Sequence, residues 1–467
     1  TDTVIVLNVI PHGPSDKAGI KAGDRIIEIG DSVVAGRKIP QNNVVKMLRG
    51  PRGTTVHLGI GRQGISGLVP IDVERGVIPI RSIESAFRIA DGVGYVKLGQ
   101  FARTTFDEFR KALASLRAEG VTKLIFDLRG NSGGFLDQAI AVANEFLHEG
   151  QLIVYTEDRR HEQLREYADG KGSAQNMEVV VLIDEGSASS SEILAGALQD
   201  NDRGTIIGRR SFGKGLVQRQ IPYSDGSALR LTTARYYTPT GRSIQKPYTI
   251  GDDADYEEDL WNRYRNNEFF SADSIHFADS LKRTTPGGKV VYGGGGIMPD
   301  IATEPEYISR FAATLYALGF IEDFGDDYTR RHPGQRIDLR TFSITDADYA
   351  DFVEFMQDKE VPYESDTRRA LNRIKEAARA DLYEESLAAE IEAIEAGIRD
   401  DKATNLQTYK REIMETLNGA VILRYSYAEG VTEHTLTEDR EVHRAVALLD
   451  DGKEYARILH EQDTVRK

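Results

Sequence analysis

Residues 76–305 alternate apolar strand patterns with amphipathic helix patterns, and this alternation constrains the fold more than any other feature. The segments VGYVKLGQF, KLIFDLRG, LIVYTE, VVVLIDE and TIIGRR are typical of strands, whereas TFDEFRKALASLRAEG, LDQAIAVANEFLHEG and SEILAGALQD are typical of helices. Strands that alternate with helices form a mostly parallel sheet with helices packed on it. The sequence therefore predicts an α/β core over residues 76–305.

The two flanks of this core have different patterns. Residues 1–75 contain short strand patterns around small helices, which predicts a β-rich module. Residues 306–467 contain long stretches rich in Ala, Glu, Arg and Lys, which predict a mainly helical C-terminal domain. Within it, the apolar residues of YISRFAATLYALGFIEDF recur at helical spacing. This segment should bury one face, either inside the chain or against another subunit.

Charge and composition exclude several classes of protein. The 467 residues carry a net charge of −15, which argues against nucleic-acid binding because phosphates are neutralised by a basic surface. The longest apolar runs, such as VVVLI, are far shorter than the roughly 20 residues that span a bilayer. The chain has no cysteine, so disulfides, thiolate metal sites and a cysteine nucleophile are excluded.

A glycine–serine turn separates an apolar strand from a helix in DEGSASSSEILAGALQD, residues 184–200. A serine there lies near a helix N-terminus, whose N–H groups and positive dipole end stabilise an oxyanion. The alternative is an ordinary N-cap, because Ser followed three residues later by Glu resembles a capping box. The residues of this loop alone leave both interpretations open.

A lysine between two glycines stands in GRRSFGKGLVQ, residues 208–218. The string from Gly208 to Lys214 matches a phosphate-binding P-loop, but Gly215 replaces the Ser or Thr that binds magnesium, and the residues that follow predict β structure instead of a helix. Glycines on both sides indicate that Lys214 approaches another backbone closely. If Lys214 is buried there, desolvation lowers its pKa and makes a neutral amine available as a base.

The loop DLRGNSGGFLDQA, residues 127–139, follows a buried strand pattern and precedes a helix pattern. Gly130 to Gly134 match the G-x-S-x-G nucleophile elbow of α/β-hydrolases, which would make Ser132 a nucleophile. Such a serine needs a downstream acid and histidine, and the histidines after Ser132 lie in no distinctive loop. Alternatively, Gly133 and Gly134 present backbone N–H groups to an oxyanion.

Two sets of motifs resemble known families. At the N-terminus, PSDKAGIKAGDRIIEIGDSVV and KMLRGPRGTTVHLGI resemble a PDZ domain of the bacterial protease type. In such domains the carboxylate-binding loop and its strand lie just before VIVLNVI, so we expect residues 1–75 to lack the N-terminal part of the domain. Across the core, five motifs in order resemble the carboxyl-terminal processing, or tail-specific, proteases: DLRGNSGG, EGSASSSEILAGALQDNDRGTIIG, SFGKGLVQ, LTTARYYTPTGRSIQ and GGGGIMPD.

The protease resemblance assigns roles to particular residues. It implies that Ser189 is the nucleophile, that Lys214 is its general base, and that Gln218 helps to hold Lys214. The oxyanion hole would be formed by N–H groups around Gly133, Gly134 and Ser190. The family commonly has Ala at position 190, and the change to Ser should be tolerated because the expected role is that of a backbone N–H. The resemblance implies no metal and no organic cofactor.

The same resemblance implies a crotonase/ClpP-like catalytic core over 76–305, between a PDZ domain over 1–75 and a helical domain over 306–467. The expected function is that of a serine endopeptidase that cleaves polypeptides near free C-termini, in the periplasm or cell envelope. We expect no nucleic-acid partner and no membrane span, whereas residues 306–467 are candidates for self-association or adaptor binding. Two alternatives stay open, namely an esterase that uses Ser132 and an inactive PDZ scaffold that binds protein tails.

Overall fold

The structure is a computed structural model that describes residues 2–78, 81–247, 253–266, 268, 278–306 and 308–460. The chain folds into two compact units, each built from segments that are distant in sequence. One unit comprises residues 1–79 and 307–437, and the other comprises residues 80–306 and 438–467. The first contains the β-rich module and most of the helical region, and the second contains the α/β core.

The β-rich module of the first unit is a five-stranded sheet with two short helices. Its sheet has the order β1-β2-β4-β5, with β3 paired to β2, and all of these pairs are antiparallel. Ile26, Ile60 and Val73 belong to its apolar core. The elements are β1 (Val4–Ile5), α1 (Pro14–Lys17), β2 (Arg25–Ile29), β3 (Ser32–Val33), α2 (Gln41–Leu48), β4 (Thr55–Gly61) and β5 (Leu68–Glu74).

The second unit is built on a six-stranded sheet that is mostly parallel, as the strand–helix alternation predicts. Its order is β17-β12-β11-β8-β7-β6, and only the β6–β7 pair is antiparallel. The strands are β6 (Ile83–Ala90), β7 (Val93–Leu98), β8 (Lys123–Asp127), β11 (Glu178–Ile183), β12 (Thr205–Gly208) and β17 (Ile301–Ala302). The β-branched run of β11 lies between β8 and β12 and is almost entirely buried, which is typical of a central parallel strand.

Helices pack on this sheet and contribute side chains to the apolar core between helices and strands. In α3 (Thr105–Ala118), the side chains of Phe109, Leu113 and Leu116 are buried, and Gly120 follows the helix at its C′ position with φ +83°, where glycine is favoured. The Phe109 ring lies 5.1 Å from the Phe126 ring and 5.8 Å from the Phe146 ring, centroid to centroid. The other helices of this part of the chain are α4 (Leu136–Asn144), α5 (Ser190–Asp200) and α6 (Asp253–Arg265).

A second, antiparallel sheet belongs to the same unit and has the order β10-β9-β14-β13. Its strands are β9 (Leu152–Asp158), β10 (Gln163–Tyr167), β13 (Leu216–Pro222) and β14 (Ala228–Tyr237), and a short hairpin pairs β15 (Lys282–Thr284) with β16 (Val290–Tyr292). LIVYTE is therefore a strand, as predicted, but it lies in this sheet instead of the parallel one. The parallel pairing of β11 with both β8 and β12 fills both of its edges, which leaves β9 to pair with β14 and β10.

The helical part of the first unit buries the apolar stripe that was recognised in YISRFAATLYALGFIEDF. Phe311, Leu315, Ile321 and Phe324 lie in one core with residues of the later helices. This confirms that the stripe packs within the chain. The helices are α7 (Arg310–Ala317), α8 (Phe320–Arg331), α9 (Asp346–Phe355), α10 (Asp366–Ala380), α11 (Ala388–Gly397), α12 (Lys402–Thr408), α13 (Lys410–Tyr425) and α14 (Ala428–Thr435).

The last two helices, α15 (Arg440–Asp450) and α16 (Gly452–Leu459), belong to the α/β unit, so the predicted helical domain of 306–467 ends earlier in the structure. These two helices belong to the α/β unit because their apolar faces pack on its strands. Val442, Leu448 and Leu449 of α15 are buried, and this helix packs against β8, β11 and β12. From α16, the Tyr455 hydroxyl hydrogen-bonds the backbone N–H and C=O of Val179 in β11, each at 3.0 Å.

Candidate active site

The three loops that carry candidate chemistry follow three neighbouring strands of the parallel sheet. Residues 128–135 follow β8, residues 184–189 follow β11, and residues 209–215 follow β12, which are adjacent in the order β12-β11-β8. Because the carboxyl ends of parallel strands meet at one edge, the sheet brings the loops together. Backbone hydrogen bonds join them, from Ala188 N to Asn131 O at 3.0 Å and from Phe212 N to Ser187 O at 3.0 Å.

Ser189 is the N-cap residue of α5 and has an unusual backbone conformation. Its φ is +55° and its ψ is −111°, a region that residues with a Cβ rarely adopt. Such strain costs about 1–3 kcal/mol and persists where the surrounding structure imposes it, often at functional sites. Ser189 is half-buried, whereas the next three residues of α5 are fully buried. The strained turn thus holds a serine at the surface end of a buried helix.

One buried carboxylate connects the Ser189 turn with the Lys214 loop. Glu192 Oε2 accepts hydrogen bonds from Ser189 N at 2.8 Å and from Lys214 N at 2.9 Å. Glu192 Oε1 accepts from Ser211 Oγ at 2.6 Å and from Gly213 N at 2.7 Å. Burial raises the pKa of Glu192, and these four donated hydrogen bonds oppose that rise. Glu192 therefore fixes the backbone of both candidate catalytic residues.

A tyrosine hydroxyl makes a second connection between the same two residues. Tyr236 Oη lies 3.2 Å from the carbonyl oxygen of Ser189 and also hydrogen-bonds the carbonyl oxygen of Lys214. The Tyr236 side chain is 2% exposed and is supplied by β14. Ser189 and Lys214 therefore share a partner for their N–H groups and a partner for their carbonyl groups, which sets the spacing between the two backbones.

The glycines on either side of Lys214 approach other backbone segments closely, as the sequence indicates. A Cβ on Gly213 would lie 3.1 Å from Gly296 N, and a Cβ on Gly215 would lie 2.8 Å from Gln245 N. Strands β13 and β14 follow this loop. The prediction of β structure after Lys214 is confirmed, and the helix that a P-loop requires does not follow.

The structure offers a second lysine near this loop, Lys246, but that lysine is paired. Its side chain is 1% exposed, and its Nζ lies 3.4 Å from Asp259 Oδ2 and 4.3 Å from the centroid of the Phe212 ring. Burial lowers the pKa of Lys246, and the Asp259 carboxylate opposes that shift. Lys214, by contrast, is half-buried, and its Nζ has no hydrogen-bond or ion-pair partner among the described residues. Of the two amines, that of Lys214 is therefore the better candidate for a base.

The glycine loop packs directly against the Ser189 turn. A Cβ on Gly133 would lie 2.8 Å from Ser189 Cβ and 2.9 Å from Ser190 N, so no side chain fits there, and its φ of +99° also favours glycine. Ser190 Oγ donates a hydrogen bond to the carbonyl oxygen of Gly134 at 3.0 Å. The change from Ala to Ser at position 190 thus adds a contact between the nucleophile turn and the glycine loop.

The three predicted oxyanion donors differ in their backbone bonding. Gly133 N donates to Asn131 Oδ1 at 2.9 Å, so its N–H group is already engaged. The N–H groups of Gly134 and Ser190 donate no hydrogen bond to any residue that the structure describes. Asn131 is fully buried and also donates from Nδ2 to Leu98 O at 2.7 Å, which fixes the loop to the end of β7. Gly134 and Ser190 are therefore the better candidates for an oxyanion hole.

Gln218 and Ser132, the other residues singled out in the sequence, take no part in the hydrogen bonds described above. Gln218 is exposed on β13, beside a register irregularity between Val217 and Gln218, and the structure records no hydrogen bond between it and Lys214. It also records none between Ser189 Oγ and Lys214 Nζ. Ser132, the alternative nucleophile, is exposed in the middle of its loop and precedes α4 by four residues. It is not at a helix N-cap.

Sequence reasoning overlooked the roles of Glu192, Tyr236 and Asn131. The signal for Glu192 was present, since Ser189 and Glu192 have the spacing of a capping box. Asn131 stands two residues before Gly133, and an Asn side chain commonly accepts a hydrogen bond from the N–H two residues on. For Tyr236 the only signal was its place in LTTARYYTPTGRSIQ.

Comparisons with known proteins identify domains in three parts of the chain. Residues 92–256 match the profile of peptidase family S41, and this range contains all three loops. Residues 92–256 therefore form a peptidase family S41 domain. On either side of it, residues 5–62 match a PDZ domain, and residues 311–449 match the C-terminal helical domain of probable PDZ-proteases. The predicted architecture, with a PDZ domain, an α/β peptidase core and a helical domain, is confirmed.

Curated relatives of this chain include a carboxy-terminal-processing protease of Bartonella bacilliformis, 40% identical over 56% of this chain and 60% of the relative. The carboxy-terminal processing protease CtpA of Bacillus subtilis is 35% identical over 52% of this chain and 51% of the relative. A carboxyl-terminal-processing protease of Synechocystis is 35% identical over 53% of this chain and 57% of the relative. The chain thus spans about half to three fifths of the length of these relatives. Among its described residues, no helix is long and apolar enough to cross a membrane.

Proposed function

We propose that this chain is a serine endopeptidase that cleaves polypeptides near their C-termini, with Ser189 as nucleophile and Lys214 as general base. The observation that carries the proposal is the shared anchoring of these two residues by Glu192 and Tyr236. A lysine has a flexible four-carbon side chain, so adjacent backbones suffice for Nζ to reach a neighbouring hydroxyl by rotation of the side chain.

The reaction follows from the groups at the site. Neutral Lys214 accepts the proton of the Ser189 hydroxyl as its oxygen attacks a peptide carbonyl. The N–H groups of Gly134 and Ser190 stabilise the resulting oxyanion, together with the N-terminal end of α5. Lys214 then gives the proton to the leaving amine, and a water, deprotonated in turn by Lys214, hydrolyses the acyl-enzyme. Gln218 remains a candidate for holding Lys214, although the structure records no contact between them.

The names of the relatives support a substrate class. They describe processing at carboxy termini, and PDZ domains bind free C-terminal carboxylates. We therefore propose polypeptides with free C-termini as substrates. The periplasm or cell envelope is proposed as the location from the family resemblance alone. Self-association or adaptor binding through the helical region is a further proposal that rests on its size alone.

A fluorophosphonate probe tests the proposal on the whole chain. The probe reacts covalently with activated serines, and peptide mapping should place the label on Ser189. Lys214→Arg should abolish the labelling, because a guanidinium stays protonated and cannot accept the serine proton. A label on Ser132 would favour the esterase alternative, and the absence of both label and turnover would favour the inactive scaffold.

A matched pair of substrates tests the C-terminal preference. Two unfolded polypeptides that differ only in a free or an amidated C-terminus should be compared for kcat/KM. In a protein that carries the carboxylate-binding loop of the PDZ domain, we expect faster cleavage of the free acid, because only the free acid has the carboxylate that this loop captures. Equal rates would show that cleavage does not depend on the free terminus.

A further inference from the structure

Two arginines stand at the bases of two active-site loops and face the same acidic residue. Arg129 lies two residues after β8 and directly precedes Gly130, and Arg209 directly follows β12. Their side chains are 18% and 14% exposed. Arg129 therefore belongs to the loop that carries Gly134, and Arg209 belongs to the loop that carries Lys214.

Glu441, in the first turn of α15, uses one carboxylate oxygen for each arginine. Its Oε2 lies 2.8 Å from Arg129 Nη1, and its Oε1 lies 2.8 Å from Arg209 Nη1. The Glu441 side chain is 8% exposed, so solvent screens these ion pairs only weakly. Asp439 adds a second acceptor for Arg129, at 2.8 Å from Nη1.

Each arginine also bonds a second carboxylate near the site. Arg129 bonds Asp127 through Nη2 at 2.6 Å, and Lys97 Nζ donates to the Arg129 carbonyl at 2.6 Å. Burial would raise the pKa of Asp127, but Arg129 and Lys97 lower it to about 2, so this carboxylate stays charged. Arg209 bonds Glu185, in the Ser189 loop, at 2.8 Å. Among the described residues, Glu441 is the carboxylate that bonds both arginines.

The position of Glu441 is itself fixed by its helix. Asp439 caps α15 by accepting a hydrogen bond from Val442 N at 2.9 Å, and the buried face of this helix holds it on β8, β11 and β12. The chain leaves the catalytic unit after residue 306 and returns at residue 438. Glu441 thus belongs to the first segment of chain that rejoins the core after the helical region.

We propose that Glu441 is a positioning residue that sets the distance between the glycine loop and the Lys214 loop by holding Arg129 and Arg209 together. This inference rests on the proposed function, because it assigns a role relative to Ser189 and Lys214. Glu441 touches neither of these residues, so it acts on them through the two arginines, and its Oε1 also accepts a hydrogen bond from Thr303 Oγ1. A carboxylate that bridges two buried guanidinium groups also removes their mutual repulsion, which would otherwise separate the loops.

The test compares two identical chemical changes in the same C-terminal segment. Glu441→Gln removes the charge and replaces one acceptor oxygen with an N–H₂ group that faces an arginine. We expect kcat to fall at least tenfold while KM for a peptide stays within twofold, because misalignment affects the transition state and not peptide binding. The control is Glu454→Gln, which removes the ion pair between Glu454 and Arg444, 2.7 Å apart, and should leave kcat within twofold.

Two further variants separate positioning from folding. Glu441→Asp keeps the charge that the arginines need but is one methylene too short to span both, so kcat should stay at least fivefold below that of the parent chain. Arg209→Gln alone and combined with Glu441→Gln should show similar losses, because each variant breaks the same bridge. A full kcat in Glu441→Asp, or losses that multiply in the double variant, would overturn the proposal.

The outcome is distinct from a failure of the proposed function. If the parent chain shows no turnover that depends on Ser189, the proposed function fails. If the parent chain is active and Glu441→Gln has the same kcat as Glu454→Gln, only the positioning role fails. Thermal unfolding of every variant identifies a loss that comes from unfolding alone. In that case the kcat of the variant equals that of the parent chain when both are measured at a temperature where the variant is folded.

Discussion

The chain contains two glycine–serine turns of similar sequence, and their structures differ. Both DLRGNSGG and DEGSASSSE follow a buried parallel strand and precede a helix. Ser132 of the first turn is exposed, four residues before α4, whereas Ser189 of the second is the strained N-cap of α5. The first turn supplies close-packed glycines, and the second supplies a serine whose backbone is tied to a lysine.

This difference shows that a local motif does not by itself identify a nucleophile. G-N-S-G-G matches an elbow as a string, yet in this fold the turn places Gly133 against Ser189 and Ser190. We propose Ser189 as the nucleophile because its backbone is joined to that of Lys214 through Glu192 and Tyr236. A candidate base beside a serine is therefore stronger evidence for a nucleophile than the sequence of the turn that carries the serine.

The largest expected effect comes from exchanging the two serines for alanine. Ser189→Ala should lower kcat by about 10⁴-fold or more, because the covalent intermediate cannot form. Ser132→Ala should retain most of the activity, because Ser132 is exposed and is not at the helix N-terminus. Peptide hydrolysis under saturating substrate measures both. Activity that persists in Ser189→Ala and disappears in Ser132→Ala would identify Ser132 as the nucleophile instead of Ser189.

The next effect concerns the carboxylate that ties the second turn to the Lys214 loop. In Glu192→Gln, an amide N–H₂ group must face at least one of the backbone N–H groups that now donate a hydrogen bond to Glu192. An unsatisfied buried donor costs about 1–3 kcal/mol, so kcat should fall roughly 10- to 100-fold. Glu162→Gln, which changes an exposed carboxylate between β9 and β10, is the control. Equal kcat values for these two variants would contradict a role for Glu192 in alignment.

The same variant should also change how the free energy of unfolding depends on pH. Burial raises the pKa of Glu192 in the folded state, so the folded chain binds a proton more tightly than the unfolded chain. The stability that this proton contributes is complete below the unfolded pKa and is lost as pH rises through the folded pKa. The parent chain should therefore lose stability relative to Glu192→Gln over that interval, measured by urea unfolding at several pH values. A difference that is independent of pH would show that the four donors cancel the effect of burial.

The sequence allowed some of these features to be predicted and not others, for physical reasons. Strand–helix alternation and glycine spacing are local, so they predicted the α/β core and the close approach around Lys214. Contacts such as Tyr236 with Lys214, or Glu441 with Arg129, join residues that are distant in sequence, and no local pattern encodes them. The placement of α15 on the sheet was missed for the same reason, since its amphipathic pattern resembles that of the preceding helices.

The smallest effect, and the finest comparison of the two turns, concerns Ser190. Its hydroxyl donates to the carbonyl oxygen of Gly134 at 3.0 Å, and this bond joins the second turn to the first. Ser190→Ala removes the bond but keeps the backbone N–H that is the candidate oxyanion donor. A typical hydrogen bond contributes about 1 kcal/mol, so kcat/KM should fall by no more than about fivefold.

Ser190→Pro removes the N–H itself and fits the first helical position, so it should be far less active. If Ser190→Pro retained the activity of Ser190→Ala, the Ser190 N–H would have no part in stabilising the oxyanion, and Gly134 would be left as the candidate donor.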